Sequence, residues 1–120
     1  MYISVDQSTS STTVFLYNKK LQLLDRVTKS HKQIQKKMGL VEHDANEIYN
    51  NLLLLVKKIS KKIKYNENLF LSITNQRETF VIFDAISGKP LNNAIVWQCR
   101  RGNNISNKIN KTKKNINLIK

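Results

Sequence analysis

The sequence predicts an α/β fold, and three observations carry that expectation. Short runs rich in β-branched and aromatic residues open the chain, at Tyr2–Gln7 and again at Thr13–Tyr17. A single long segment, from Asp44 to Lys64, repeats its apolar residues at helical spacing. Strand-like text then resumes at Leu69.

Each element can be justified in order. Ile3 and Val5 alternate along the first run, which ends at Asp6-Gln7 and meets the hydroxyl-rich stretch Ser8-Thr9-Ser10-Ser11-Thr12. Two β-rich runs around a short polar stretch predict a β-hairpin. Asn18-Lys19-Lys20 supplies a turn, and Leu21 to about Thr28 a third strand, antiparallel to the second. Ser30 to His43 is basic and weakly patterned, and it reads as a loop containing Gly39.

Asp44 followed by Glu47 is a capping pair, because both carboxylates can accept from unpaired N–H groups of a first helical turn. Ile48, Leu52, Leu55, Val56, Ile59 and Ile63 share one arc, and Lys57, Lys58, Lys61, Lys62 and Lys64 fill the rest. Beyond the helix, Leu69–Thr74 predicts a strand, Thr79–Asp84 another, Ser87–Pro90 a turn and Ala94–Trp97 a short strand. Gly102–Lys120 is rich in Asn, Lys and Ile; a helix fits there but would have little to pack against.

Composition excludes several classes. The 120 residues suffice for one domain with a core and not for two. No apolar run nears the ~20 residues of a bilayer crossing, and the N-terminus lacks the basic-then-apolar pattern of a signal peptide. Cys99 is alone, so no internal disulfide can form; a reducing, cytoplasmic setting is the expectation. The net charge of +13 suits a non-specific nucleic-acid binder. The reading adopted is a codon bias that spreads lysine and asparagine over solvated faces, since pairs such as Lys57-Lys58 and Lys113-Lys114 recur throughout, and no specific nucleic-acid partner is expected.

Two patches carry chemistry. The first hairpin places Asp6 beside a turn of Ser and Thr, whose N–H groups and hydroxyls suit anionic oxygens while the carboxylate suits Mg²⁺. The second sets Gln76, Arg77 and Glu78 at one strand end and Trp97 at another. A cation and an anion side by side can bracket neighbouring hydroxyls of a polyol, with an indole face against its carbons. The plain alternatives are a structural turn, a surface Arg–Glu ion pair and a core tryptophan.

In order and spacing, five blocks resemble the glycerol kinases, members of the carbohydrate kinases related to actin and hexokinase. They are Asp6–Ser11, Val41–Asp44, Ile73–Thr79, Gly88–Leu91 and Asn93–Arg101. The likeness runs from Tyr2 to Arg101, so residues 1–101 are expected to be a partial N-terminal kinase domain and 102–120 a basic tail where the match fades. The resemblance implies an incomplete ribonuclease H-like domain with a mixed sheet of about five strands. It implies transfer of the γ-phosphoryl group of ATP to glycerol with Mg²⁺, in enzymes that often form homo-oligomers. By match, Asp6 would serve the metal; Thr9, Ser10 and Ser11, with Thr13, would face the nucleotide phosphates. Arg77 and Glu78 would hold glycerol hydroxyls, with Trp97 against the carbon backbone.

Ser8 replaces the family's usual Gly, and Thr13 stands where glycerol kinases carry an Arg near the phosphates. Family members are several times longer. The aspartate that acts as general base, a second glycerol-contacting aromatic and the adenosine pocket belong to the part with no counterpart here. The chain alone is therefore expected to be inactive. The alternatives are a related carbohydrate kinase of other substrate, a gene remnant without function, and a basic binder of nucleic acid.

Overall fold

The computed structural model describes residues 1–64 and 68–112. The chain opens with β1 (Tyr2–Gln7), β2 (Ser11–Tyr17) and β3 (Leu23–Ser30), a meander with Val5 opposite Val14 and Val14 opposite Val27. The turn into β3 is built by Asn18, whose side-chain oxygen accepts from the N–H groups of Lys20 and Gln22 at 2.9 and 3.0 Å. Leu21 takes a left-handed φ of 59° in that turn, so β3 begins two residues later than its apolar pattern suggested.

The stretch expected as a loop is instead a second hairpin, β4 (Gln33–Lys37) and β5 (Leu40–His43). Gly39, at φ 80°, makes the tight reversal that a side chain would oppose. Ile34 is the one apolar residue of β4, so this strand has almost no alternation to betray it.

Helix α1 (Ala45–Ser60) begins where the capping signal placed it, with the Asp44 carboxylate accepting from the Asn46 N–H at 2.9 Å. Glu47 does not complete the reciprocal cap; it accepts from the Lys32 backbone N–H at 3.1 Å and ties the helix to the segment after β3. Leu55 and Ile59 sink into a core made with Ile3, Val5, Val14 and Leu16. Leu52, Val56 and Ile63 pack at its margin.

Strand β6 (Phe70–Asn75) returns parallel to β1, giving a mixed sheet in the order β3-β2-β1-β6. A smaller antiparallel sheet runs β4-β5-β7, with β7 reduced to Ala94–Ile95. Thr79–Asp84 is not the strand its composition suggested. It makes only two isolated bridges, Phe80 with Ile95 and Phe83 with Pro90. The second bridge is held by the N–H groups of Asp84 and Leu91, which donate to the Lys89 and Ile82 carbonyls. The Lys89 N–H turns to the Ser87 hydroxyl, and the Asp84 carboxylate caps the reversal by accepting from Ser87 at 2.7 Å.

A helix does form after Gly102: α2 (Asn103–Lys111), exposed along its length. The remainder of that segment, 113–120, lies outside the described residues. Among the described residues no helix is long and apolar enough to cross a membrane.

Candidate functional site

Because β1 and β6 run parallel, they end at the same edge of the sheet, Gln7 opposite Asn75. Open α/β sheets bind ligands beyond such carboxyl ends, where the connecting loops diverge. Here the two loops are the Ser8–Ser11 turn and Gln76-Arg77-Glu78, and they enclose a cavity of ≈ 530 Å³. Asp6, Ser8 and Thr9 line it from the hairpin; Arg77 and Glu78 line it from beyond β6, and Trp97 closes it.

The hairpin turn is shaped by Ser8, whose N–H and hydroxyl both donate to the Ser11 carbonyl, at 3.0 and 3.1 Å. Among the described residues neither Thr9 nor Ser10 gives its N–H to a partner, which leaves two donors at the tip. Ser10 is exposed there and Ser11 opens β2; neither lines the cavity. Thr13 sits apart: it is buried on β2, its hydroxyl 3.1 Å from that of Thr28, and it does not line the cavity.

Trp97 is half exposed, at 52%, and held at two points. Its backbone N–H donates to the Thr79 hydroxyl at 3.2 Å, and its indole Nε1–H donates to Thr9 Oγ1 at 3.0 Å. The second bond joins the hydroxyl-rich turn directly to the wall that carries Arg77 and Glu78. Among the described residues neither Arg77 nor Glu78 enters an ion pair, with each other or elsewhere. Glu78 has a left-handed φ of 61°, a conformation costly for a side chain of its size and one found disproportionately at binding sites.

Sequence reasoning passed over the groups behind these walls. His31 Nε2 lies 3.0 Å from the Thr9 carbonyl, and His43 Nδ1 lies 3.3 Å from the Gln76 amide nitrogen. Burial holds the His43 imidazole below its ordinary 6.5, and a charge on His31 would push it the same way. Glu42 accepts from Arg101 at 2.7 Å and Asn93 at 3.0 Å and pairs with Lys36 at 3.0 Å. Those bonds, Arg101's foremost, bring its carboxyl down to about 2. Asn93 and Arg101 bracket the segment bearing Trp97, so Glu42 pins that segment to β5. The Val41–Asp44 block was visible in the sequence, but its spacing alone assigned it no partner.

The family model for the N-terminal domain of the FGGY family of carbohydrate kinases matches residues 1–120. The chain belongs to that family. Among curated relatives it is 45% identical over 114 residues to glycerol kinase 1 of Thermotoga maritima, covering 92% of this chain and 23% of the relative. It is 41% identical over 106 residues to glycerol kinase 2 of Saccharolobus solfataricus, covering 87% and 21%. The crystal structure of Plasmodium falciparum glycerol kinase with ADP superposes with a TM-score of 0.80 at 37% identity, over 93% of this chain and 23% of that one. Gluconate kinase of Lactobacillus acidophilus, at 22% identity and TM-score 0.84 over 92% and 22%, shares the fold. The chain thus spans about a quarter of the length of the relatives it matches. Its mixed sheet and helix are the N-terminal part of an actin- and hexokinase-like kinase fold.

Proposed function

We propose that the chain supplies the phosphate-facing hairpin and half of the polyol pocket of an ATP-dependent glycerol kinase, which forms glycerol 3-phosphate. The observation that carries this is the shared cavity, where Asp6 and Thr9 meet Arg77, Glu78 and Trp97, with the Thr9–Trp97 bond joining the two sides. The likeness to proteins named glycerol kinase supports glycerol over other substrates of the family.

The roles follow from the chemistry of each group. The free N–H groups of Thr9 and Ser10, with the hydroxyls of Thr9, Ser10 and Ser11, suit the oxygens of the nucleotide phosphates. Thr13 lies too deep to join them. Arg77 donates to a polyol hydroxyl and the Glu78 carboxylate accepts from one; the unpaired state of both leaves them available to a ligand. Trp97 offers its indole face to the carbon chain. Phosphoryl transfer depends chiefly on holding both partners in line and offsetting charge, which is what such walls provide.

Mg²⁺ bound with nucleotide needs only one or two protein carboxylates, since phosphates and water complete its shell. Asp6 fits that demand as a carboxylate residue lining the cavity. Bound there, Mg²⁺ would neutralise charge developing on the transferring phosphoryl oxygens. A cytoplasmic setting accords with the single cysteine, Cys99.

The test is a chimera in which this chain replaces the matching start of Thermotoga maritima glycerol kinase 1. It should form glycerol 3-phosphate from ATP and glycerol in a coupled assay. Arg77→Ala should lower kcat/KM for glycerol by about tenfold or more, the worth of a lost charge-assisted hydrogen bond. A folded chimera that ignores glycerol but phosphorylates gluconate or xylulose would overturn the substrate reading.

A further inference from the structure

The chain has two histidines, and both lie buried behind the cleft, 7% and 0% exposed, with ring centroids 4.9 Å apart and edge to face. Their partners fix where their protons sit. A carbonyl only accepts, so the His31 nitrogen facing the Thr9 carbonyl, Nε2, carries the proton. Its Nδ1 is then a lone pair, buried without a partner.

The other ring is fixed through a longer chain. The Trp97 N–H donates to the Thr79 hydroxyl, whose own proton goes to Gln76 Oε1 at 3.0 Å. That orients the Gln76 amide nitrogen, a donor, toward His43 Nδ1, which must accept. The His43 proton therefore sits on Nε2, again buried without a partner. The two orphaned atoms are complementary: a donor on His43 and an acceptor on His31.

We propose that His31 and His43 are positioning residues, a neutral pair with both protons on Nε2 that sets the turn carrying Thr9 against the wall carrying Gln76, Arg77 and Glu78. The pair ties one wall through the Thr9 carbonyl and the other through Gln76, and the Thr9–Trp97 bond closes the circuit on the cleft side. The inference rests on the functional reading above only for what the cleft binds.

Its consequence is directional. A proton reaching His31 enters at Nδ1 and leaves the Thr9 bond intact. A proton reaching His43 enters at the atom that receives Gln76, so that bond is lost and the amide must turn. His43 is the sensitive member. The titratable groups that face it are His31, after β3, and Glu47 of α1, whose negative charge opposes the effect of burial; the side after β6 presents the neutral amide of Gln76. Because its folded-state value is lowered, the unfolded chain takes up the proton first. The His43 contribution is complete above about 6.5 and is lost as pH falls below it.

Two measurements on the 120-residue chain test this. Long-range ¹H–¹⁵N spectra of histidine-labelled protein should show Nε2–H for both rings at neutral pH; an Nδ1–H signal from His43 would overturn the proposal. Trp97 is the only tryptophan, so its emission reports on the wall it closes. Between about pH 8 and about pH 5 the emission should change in one step with its midpoint below 6.5. His43→Gln should abolish the step, whereas His31→Gln should keep it. A flat emission, or a step unchanged in His43→Gln, refutes the pair's role. Neither readout uses a ligand: a chimera blind to glycerol with both tautomers intact would sink the functional reading and leave this one standing.

Discussion

Neighbouring strands of one sheet face meet opposite fates. On β1, Ile3 and Val5 are 2% and 0% exposed; their register partners on β6, Leu71 and Ile73, are 56% and 54% exposed. All four point to the same side. The difference lies in α1, which packs over β2 and β3 and reaches β1 with Leu55 and Ile59, whereas among the described residues nothing covers β6. The meander and its helix therefore bury their own core, while β6 is held to β1 by backbone bonds and one ring stack, Tyr2 on Phe70 at 5.4 Å. The cleft inherits this asymmetry: Asp6 and Thr9 come from the packed side, Arg77 and Glu78 from the lightly packed one.

The sharpest way to break that comparison is to attack the packed side. Ile59→Ala removes a fully buried side chain at the centre of the core and should cost about 2–5 kcal/mol in urea unfolding. A loss under about 1 kcal/mol would mean that α1 is not the element that covers the sheet. Next in size is Asp44→Ala, which removes the N-cap bond to Asn46 and should cost about 1 kcal/mol. Glu47 cannot compensate, because its carboxylate is already committed to Lys32. An Asp44→Asn control, able to cap, should recover most of the loss.

The same asymmetry explains what was legible in the sequence. The meander, α1 and β6 declared themselves through apolar spacing, and the helix start through Asp44, because local chemistry decides those features. The β4–β5 hairpin did not, since β4 is nearly all polar, β5 is only four residues long, and only Gly39 marked the reversal. Thr79–Asp84 misled in the other direction: composition favours a strand, yet a ladder needs a continuous partner, and among the described residues it meets only single bridges at Ile95 and Pro90. At the cleft, residue types along the strand ends gave Asp6, Arg77, Glu78 and Trp97. The Thr9–Trp97 bond and the histidine pair join residues distant in sequence, and no single-chain pattern encodes such closures.

A third test bears on the lightly packed wall. Glu78→Gly relieves a left-handed backbone that costs a side chain roughly 1–2 kcal/mol, against about 0.5–1 kcal/mol of added unfolded-state freedom. Stability should stay level or rise by up to about 1 kcal/mol. Glycerol use by the chimera should nevertheless fall about tenfold or more, because the accepting carboxylate is gone. A protein made less stable by this change would show that Glu78 serves the fold.

The smallest effect should come from Ile73→Thr, and it is the one that isolates burial. Thr keeps the β-branch and hence the strand preference, so the backbone of β6 is not disturbed. What changes is the apolar surface at a position already 54% exposed. Ile3 and Val5, one strand away, give up nearly all their contact with water on folding; Ile73 gives up about half and meets no helix. The substitution should therefore cost less than about 0.5 kcal/mol, several-fold below the core change at Ile59. Urea unfolding at two protein concentrations makes the comparison strict. A cost above about 2 kcal/mol would show that this face is covered in solution. If that cost grew with concentration, the cover is a second copy of the chain; if it did not, the cover is a segment of the same chain.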